Sequence, residues 1–237
     1  MTTTAALYLI PVGISDAPAA DVIPQGTLDI MGGIRHFIVE NVRTARRWLR
    51  RCMPHCDIDS MTFRELNRHT DISEVASWLD PLRQGMPMGV MSEAGCPGVA
   101  DPGALPAAIA QREGLRVIPL TGPSSILMGL MASGFNGQGF TFNGYLPIDE
   151  GARAAAIRRL EKTARTTGVT QIFIETPYRN NKMLQTLAST LRPDTLLTVA
   201  AAVTDPQHES ILTLPAAKWR THKGIPPKTP AVFIIGN

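Results

Sequence analysis

The sequence predicts an α/β protein of two domains, 1–120 and 121–237. The first is expected to carry a mostly parallel sheet with helices on both faces, the second a mixed sheet. Three observations carry this expectation. Short apolar runs alternate with amphipathic segments through the first half, the β-α-β pattern of a parallel sheet covered on both sides. Two of those runs open into loops of small residues. Val90-Met91 leads into Ser92-Glu93-Ala94-Gly95-Cys96-Pro97-Gly98-Val99-Ala100-Asp101-Pro102-Gly103, and Leu115–Leu120 leads into Thr121-Gly122-Pro123-Ser124-Ser125. From about Phe135 strands follow one another with fewer helices between them.

Taken in order, Leu7-Tyr8-Leu9-Ile10 reads as a buried first strand closed by Pro11-Val12-Gly13, and His36–Glu40 as a second strand. Asn41–Cys52 is expected to be helical, ending before Pro54. Ser73–Arg83 reads as another helix, with Ser73 at its N-cap and Val75, Leu79 and Leu82 as its apolar stripe. Met88–Met91 is a strand, Leu105–Arg112 a helix, Leu115–Leu120 a strand, and Ser125–Ala132 an apolar helix buried on most sides. After the turn Asn136–Gly139 come the strand Phe140–Phe142, a charged helix from Ala152 to Arg165 and the strand Gln171–Glu175. Asn181–Leu191 is a further helix, and Leu196–Val203, Ser210–Leu214 and Ala231–Ile235 are strands.

Hydrophobic residues make up 44% and charged residues 18%, which suits a chain with a real core rather than a disordered one. No apolar run approaches the roughly 20 residues of a membrane span, and the N-terminus lacks a basic-then-apolar leader. A cytoplasmic protein with no membrane partner is expected. Cys52, His55 and Cys56 lie close together, yet no second ligand pair follows at a zinc spacing, so no metal is expected.

Of the 23 basic residues 18 are arginine, the side chain suited to oriented phosphate or carboxylate contacts. Arg43, Arg46, Arg47, Arg50 and Arg51 recur at helical spacing and share one face, opposite Val42, Ala45, Trp48, Leu49 and Cys52. Such a face repels itself unless something anionic meets it. RNA phosphates are a natural partner; a solvated face, or pairing with acids elsewhere in the chain, is the alternative. Arg158, Lys162 and Arg165 make a smaller basic stripe. Aromatic residues, at 5%, are too sparse for an evident base-stacking platform.

These motifs, in this order, resemble the tetrapyrrole methylase superfamily, and within it the branch that methylates a ribose 2′-hydroxyl in 16S ribosomal RNA. Glu40-Asn41-Val42-Arg43 matches that branch's Glu-Asp-Thr-Arg. Ser92 to Pro97 with Asp101 to Gly103 matches its Ser-Asp-Ala-Gly-Thr-Pro…Ser-Asp-Pro-Gly loop. Gly122-Pro123-Ser124 matches Gly-Pro-Ser/Cys, and Gly144-Tyr145-Leu146-Pro147 matches Gly-Phe-Leu-Pro. Ile174-Glu175-Thr176-Pro177-Tyr178-Arg179 matches Tyr-Glu-Ser-Thr-His-Arg, and Thr229-Pro230-Ala231-Val232 is similar to the superfamily's last strand. Asn41 stands where the branch has an acid, Glu93 where it has Asp and Cys96 where it has Thr.

The resemblance implies two α/β domains with S-adenosylmethionine in the cleft between them, a homodimer, and ribosomal RNA or the small ribosomal subunit as partner. It assigns cofactor contact to Pro11, Ala94, Gly95, Cys96, Val99, Ser124 and Ser125, and, from the second domain, to Tyr178, Ala202, Pro230 and Ala231. Methyl transfer from a sulfonium is mainly a matter of holding donor and acceptor in line. The positive charge vanishes on transfer, so small polar groups suit the donor better than a tight carboxylate pair. Glu40 and Glu65 are the candidate catalytic residues, as carboxylates able to accept a hydroxyl proton; a capping or surface role is the alternative for each. Asp101 reads as a turn or capping residue. A tetrapyrrole carbon as acceptor, and cofactor binding without turnover, are the competing readings.

Overall fold

In the computed structural model, which describes Thr3–Asn237, the chain separates into a first unit ending at Ser124 and a second spanning Ser125–Asn237. The first unit runs β1 (Leu7–Leu9), α1 (Ala19–Val22), α2 (Gln25–Gly32), β2 (His36–Val39), α3 (Val42–Cys52), β3 (Thr62–Glu65), α4 (Asp80–Arg83), β4 (Met88–Met91), α5 (Ala104–Arg112) and β5 (Val117–Pro119). Its strands pair in the order β3-β2-β4-β1-β5, all parallel.

Successive strand residues point to opposite faces. Leu7, Ile38 and Val90 therefore bury against Val75, Leu79 and Ile109, while Tyr8, Phe37, Val39 and Met91 bury against Met31, Trp48 and Leu49. Both faces need helices, and both have them. The chain leaves β1 toward β2 on one side and leaves β4 for β5 on the other. The loops after these adjacent strands diverge, which is where an open parallel sheet forms its ligand crevice.

The second unit runs α6 (Ser125–Ser133), β6 (Phe140–Tyr145), α7 (Glu150–Thr167), β7 (Thr170–Ile174), α8 (Asn180–Thr190), β8 (Leu196–Ala201), β9 (Ser210–Pro215), α9 (Ala216–Trp219) and β10 (Ala231–Gly236). The strand order is β6-β7-β10-β8-β9; β6 and β7 are parallel and the other pairs antiparallel. This is the mixed sheet expected from the sequence. Central β10 is buried throughout. Phe173, Val199 and Phe233 pack with Ile157, Leu160 and Leu187, and α6 packs on β8, β9 and β10.

Two expectations are corrected. Residues 73–83 do not form one helix: single 3₁₀ turns at Ile72–Glu74 and Ser77–Leu79 precede the short α4. Pro81 has no N–H to return to Ser77, so it starts a new helix in the first turn of α4 rather than continuing the turns before it. Asp71 is the cap in place of Ser73, accepting Ser73 N–H at 2.9 Å. The apolar stripe survives, with Val75, Leu79 and Leu82 buried. Helix α6 is not buried on most sides, because Leu127 is 50% and Met131 82% exposed. Glu65 closes β3, a strand without a clear sequence signal, and the helices α1, α2 and α9 likewise carry none.

Among the described residues no helix is long and apolar enough to cross a membrane. Among them, too, no group of three or more His, Cys, Asp or Glu is placed to hold a metal ion.

Candidate functional site

Three loops meet at the carboxyl ends of β1, β4 and β5. Val12 N–H donates to Gly95 O at 2.9 Å, and Gly95 N–H returns the bond to Val12 O at 3.0 Å. Gly95 sits at φ +71°, the left-handed region that glycine enters at no steric cost. Gly95 is buried, and a Cβ placed there would make ordinary contacts with Ile14 Cγ2 at 3.6 Å and Pro123 O at 3.9 Å. Gly122 closes the third loop for a different reason: its Cβ would lie 2.4 Å from Pro11 Cβ. Buried Thr27 on α2 anchors that loop by donating to Thr121 O at 3.0 Å. Cys96 Sγ lies 3.5 Å from Pro123 O. Burial, with the Asp101 charge nearby, pushes the Cys96 thiol up, so it stays protonated and donates weakly, as the hydroxyl of Thr would.

The structure thus brings Pro11, Gly95 and Cys96 together with the Gly122-Pro123 turn that leads into Ser124 and Ser125. Ala94 and Val99 stand exposed on the same β4 loop.

Beside this loop lies a cavity of about 880 Å³ whose lining includes Glu40, Glu93, Asp101, Asn67, Arg68 and His69. Glu40 follows β2 directly, and its Oε2 accepts Glu93 N–H at 3.2 Å. Burial pushes the Glu40 carboxyl above its ordinary value; the Glu93 N–H pulls it back, and the charges of Glu93 and Asp101 push it up further. Asp101 Oδ1 accepts Gly98 N–H at 2.9 Å and Gly103 N–H at 2.6 Å, the turn role expected of it. Asp101 Oδ2 is buried with no partner among the described residues.

Glu65 holds the start of α3 in place. Its Oε2 accepts Val42 N–H at 3.0 Å there, and its Oε1 accepts Asn67 Nδ2–H at 2.9 Å. Asn41 caps the same helix, taking Thr44 N–H at 3.1 Å. Sequence reasoning missed Glu93, Arg68 and His69 as neighbours of Glu40. Only the meeting of the loops after β2, β3 and β4 joins them.

Helix α3 divides its five arginines. At one edge Arg46 pairs with Asp59 and lies over the Phe63 ring at 5.6 Å. At the other, Arg51 donates to Ala17 O at 2.8 Å and lies over Trp48 at 5.4 Å. Between them Arg43, Arg47 and Arg50 are exposed, with no hydrogen-bond or ion-pair partner among the described residues.

In the second unit, Tyr178, Ala202, Pro230 and Ala231 collect at one end of the sheet. Ala202 N–H donates to Pro230 O at 2.9 Å, and Ala231 pairs with Ala201. Buried Glu175 accepts Thr176 N–H and the Arg179 guanidinium, both at 2.7 Å, folding the turn that leaves Tyr178 79% exposed. Lys228 Nζ lies 5.8 Å over the Tyr178 ring. Ala202 and Lys228 hold φ of +50° and +62°, strain of about 1–3 kcal/mol each that non-glycine residues keep mainly at working sites.

No family model matches the chain. Ribosomal RNA small subunit methyltransferase I of Vibrio cholerae is 29% identical over 215 residues, covering 91% of this chain and 70% of that protein. The protein of the same name from Escherichia coli O157:H7 is 27% identical over 198 residues, covering 84% and 65%. Among solved structures, the methyltransferase CobJ superposes with a TM-score of 0.63 at 16% identity, over 98% of this chain and 94% of its own. Uroporphyrin-III C-methyl transferase from Thermus thermophilus, complexed with S-adenyl homocysteine, gives 0.58 at 15%, over 98% and 97%. The fold is shared along nearly the whole chain, and the sequence likeness runs with the ribosomal RNA enzymes over most of it. The chain has the two-unit fold of these methyltransferases, and its sequence is similar to ribosomal RNA small subunit methyltransferase I over most of its length.

Proposed function

We propose that this protein is an S-adenosylmethionine-dependent methyltransferase that modifies a ribose 2′-hydroxyl in small-subunit ribosomal RNA, acting in the cytoplasm as a homodimer. The observation that carries this reading is a single strand–helix junction. Glu40 ends β2, Asn41 caps α3, and the free arginines Arg43, Arg47 and Arg50 follow on that helix. A carboxylate for the acceptor and cations for its flanking phosphates therefore issue from one point. A ribose hydroxyl suits a cavity lined by the carboxylates of Glu40, Glu93 and Asp101, with Arg68 and His69 beside them.

The left-handed turn at Gly95 and the exposed side chains of Ala94 and Val99 on its loop fit the cofactor. S-adenosylmethionine supplies, when bound, an electrophilic methyl group on a positive sulfonium. The resemblance assigns its contacts to Pro11, Ala94, Gly95, Cys96, Val99 and Ser124 in the first unit and to Ser125, Tyr178, Ala202, Pro230 and Ala231 in the second. Glu40 takes the hydroxyl proton as the ribose oxygen gains the methyl group, a role its raised pKa favours at neutral pH. Glu65 acts as a positioning residue, fixing the start of α3.

Arg47→Glu combined with Arg50→Glu tests the RNA side. Arg46 is left intact because it is paired with Asp59. Affinity for small-subunit RNA is expected to fall about 10-fold or more, and the slope of log K against log salt to drop by about 2, while S-adenosylmethionine affinity is unchanged. Unaltered RNA affinity would contradict the reading. For the homodimer, exposed Leu127 and Met131 on α6 offer apolar surface. Sedimentation at micromolar concentration is expected to give twice the chain mass, and a monomer would refute it.

A further inference from the structure

We propose that the exposed middle of α7 is a second phosphate-binding surface for the RNA substrate, carried by Arg158, Arg159 and Lys162; this rests on the RNA reading above. The helix is capped by Asp149, which accepts Ala152 N–H at 2.8 Å. It buries Ala156, Ile157, Leu160 and Ala164 against the second sheet. Every other charge on α7 is occupied. Glu150 meets Lys182 at 2.8 Å and Arg153 at 3.8 Å. Buried Glu161 accepts Arg192 N–H at 2.8 Å and the Thr195 hydroxyl. Arg165, which the sequence placed in the basic stripe, pairs with Asp194 at 3.2 Å.

Arg158, Arg159 and Lys162 remain, all exposed, their side chains without a hydrogen-bond or ion-pair partner among the described residues. The helical face they share also presents Gly151, Ala155 and Thr166, so no carboxylate stands on it. Arg158 and Lys162 are an i, i+4 like-charge pair, which disfavours an isolated helix by about 0.2–0.5 kcal/mol. An anion laid along the turn relieves that repulsion. Their rise of roughly 6 Å along the axis and the two guanidinium forks suit phosphates spaced along a nucleic-acid strand.

The test uses the full chain with Arg158→Glu, Arg159→Glu and Lys162→Glu combined, and the corresponding triple glutamine variant. Binding to small-subunit RNA is read across a salt series beside the Arg47→Glu, Arg50→Glu protein. The expected result is at least 10-fold weaker RNA binding for the glutamate triple and a salt slope lower by about 2–3. The glutamine triple should be intermediate, with S-adenosylmethionine affinity unchanged in both. If the α7 variants keep wild-type affinity and slope while the α3 variant weakens, this proposal fails and the RNA reading stands. If the wild-type protein shows no salt-dependent RNA binding, both fail together.

Discussion

Gly95→Arg is expected to abolish S-adenosylmethionine binding, with calorimetry showing at least a 100-fold loss of affinity. Two effects act at one position. The residue holds φ +71° while making both hydrogen bonds of the Val12–Gly95 bridge, so any side chain pays the left-handed penalty of about 1–2 kcal/mol. The Cβ itself makes only ordinary contacts, 3.6 Å from Ile14 Cγ2 and 3.9 Å from Pro123 O, but a long charged side chain at this buried position must displace the packed loops around it. Gly95→Ala separates the two effects. It should lose stability by about the backbone penalty and keep measurable cofactor affinity. Undiminished affinity in Gly95→Arg would mean that the β4 loop is not the binding loop.

Glu40→Gln is expected to lower kcat by about 10²-fold or more with little change in cofactor affinity. The pH dependence gives the sharper readout. The folded-state pKa of Glu40 is raised, chiefly by burial, so the carboxylate forms only above the ordinary range. The acid limb of the wild-type rate profile should therefore lie above a normal glutamate value, and the Gln variant should lose it. Stability follows the same linkage in the opposite sense. Relative to the unfolded chain, the protonated group favours the folded state below the unfolded pKa, and that benefit is lost as pH rises through the folded value. At pH 7 the ionised group is a cost, so Glu40→Gln should melt no lower than wild type. A retained kcat and an unchanged acid limb would remove Glu40 from the chemistry.

Much of the fold is legible in the sequence. Period-2 and continuous apolar runs mark β1, β2, β4, β7, β8 and β10. The spacing of Ala45, Trp48 and Leu49 marks α3. What escapes depends on distant segments meeting. The 73–83 stripe is real, but Pro81 breaks the backbone ladder that the stripe suggests. Arg46 and Arg51 look equivalent to Arg47 in the sequence, and only Asp59 and the Ala17 carbonyl, from other segments, set them apart. Glu65 resembles a proton acceptor until the start of α3 is seen to rest on it. Arg68 and His69 carry no local signal, since their place beside Glu40 arises where the loops after β2 and β3 converge.

Methyl transfer from radiolabelled S-adenosylmethionine to under-methylated small ribosomal subunits, with uroporphyrinogen in a parallel reaction, decides which acceptor the protein uses. The expected result is label in the RNA, resistant to alkaline cleavage at one position, and none in the tetrapyrrole. Label in the tetrapyrrole alone, or in neither acceptor while the cofactor still binds, would contradict the RNA reading.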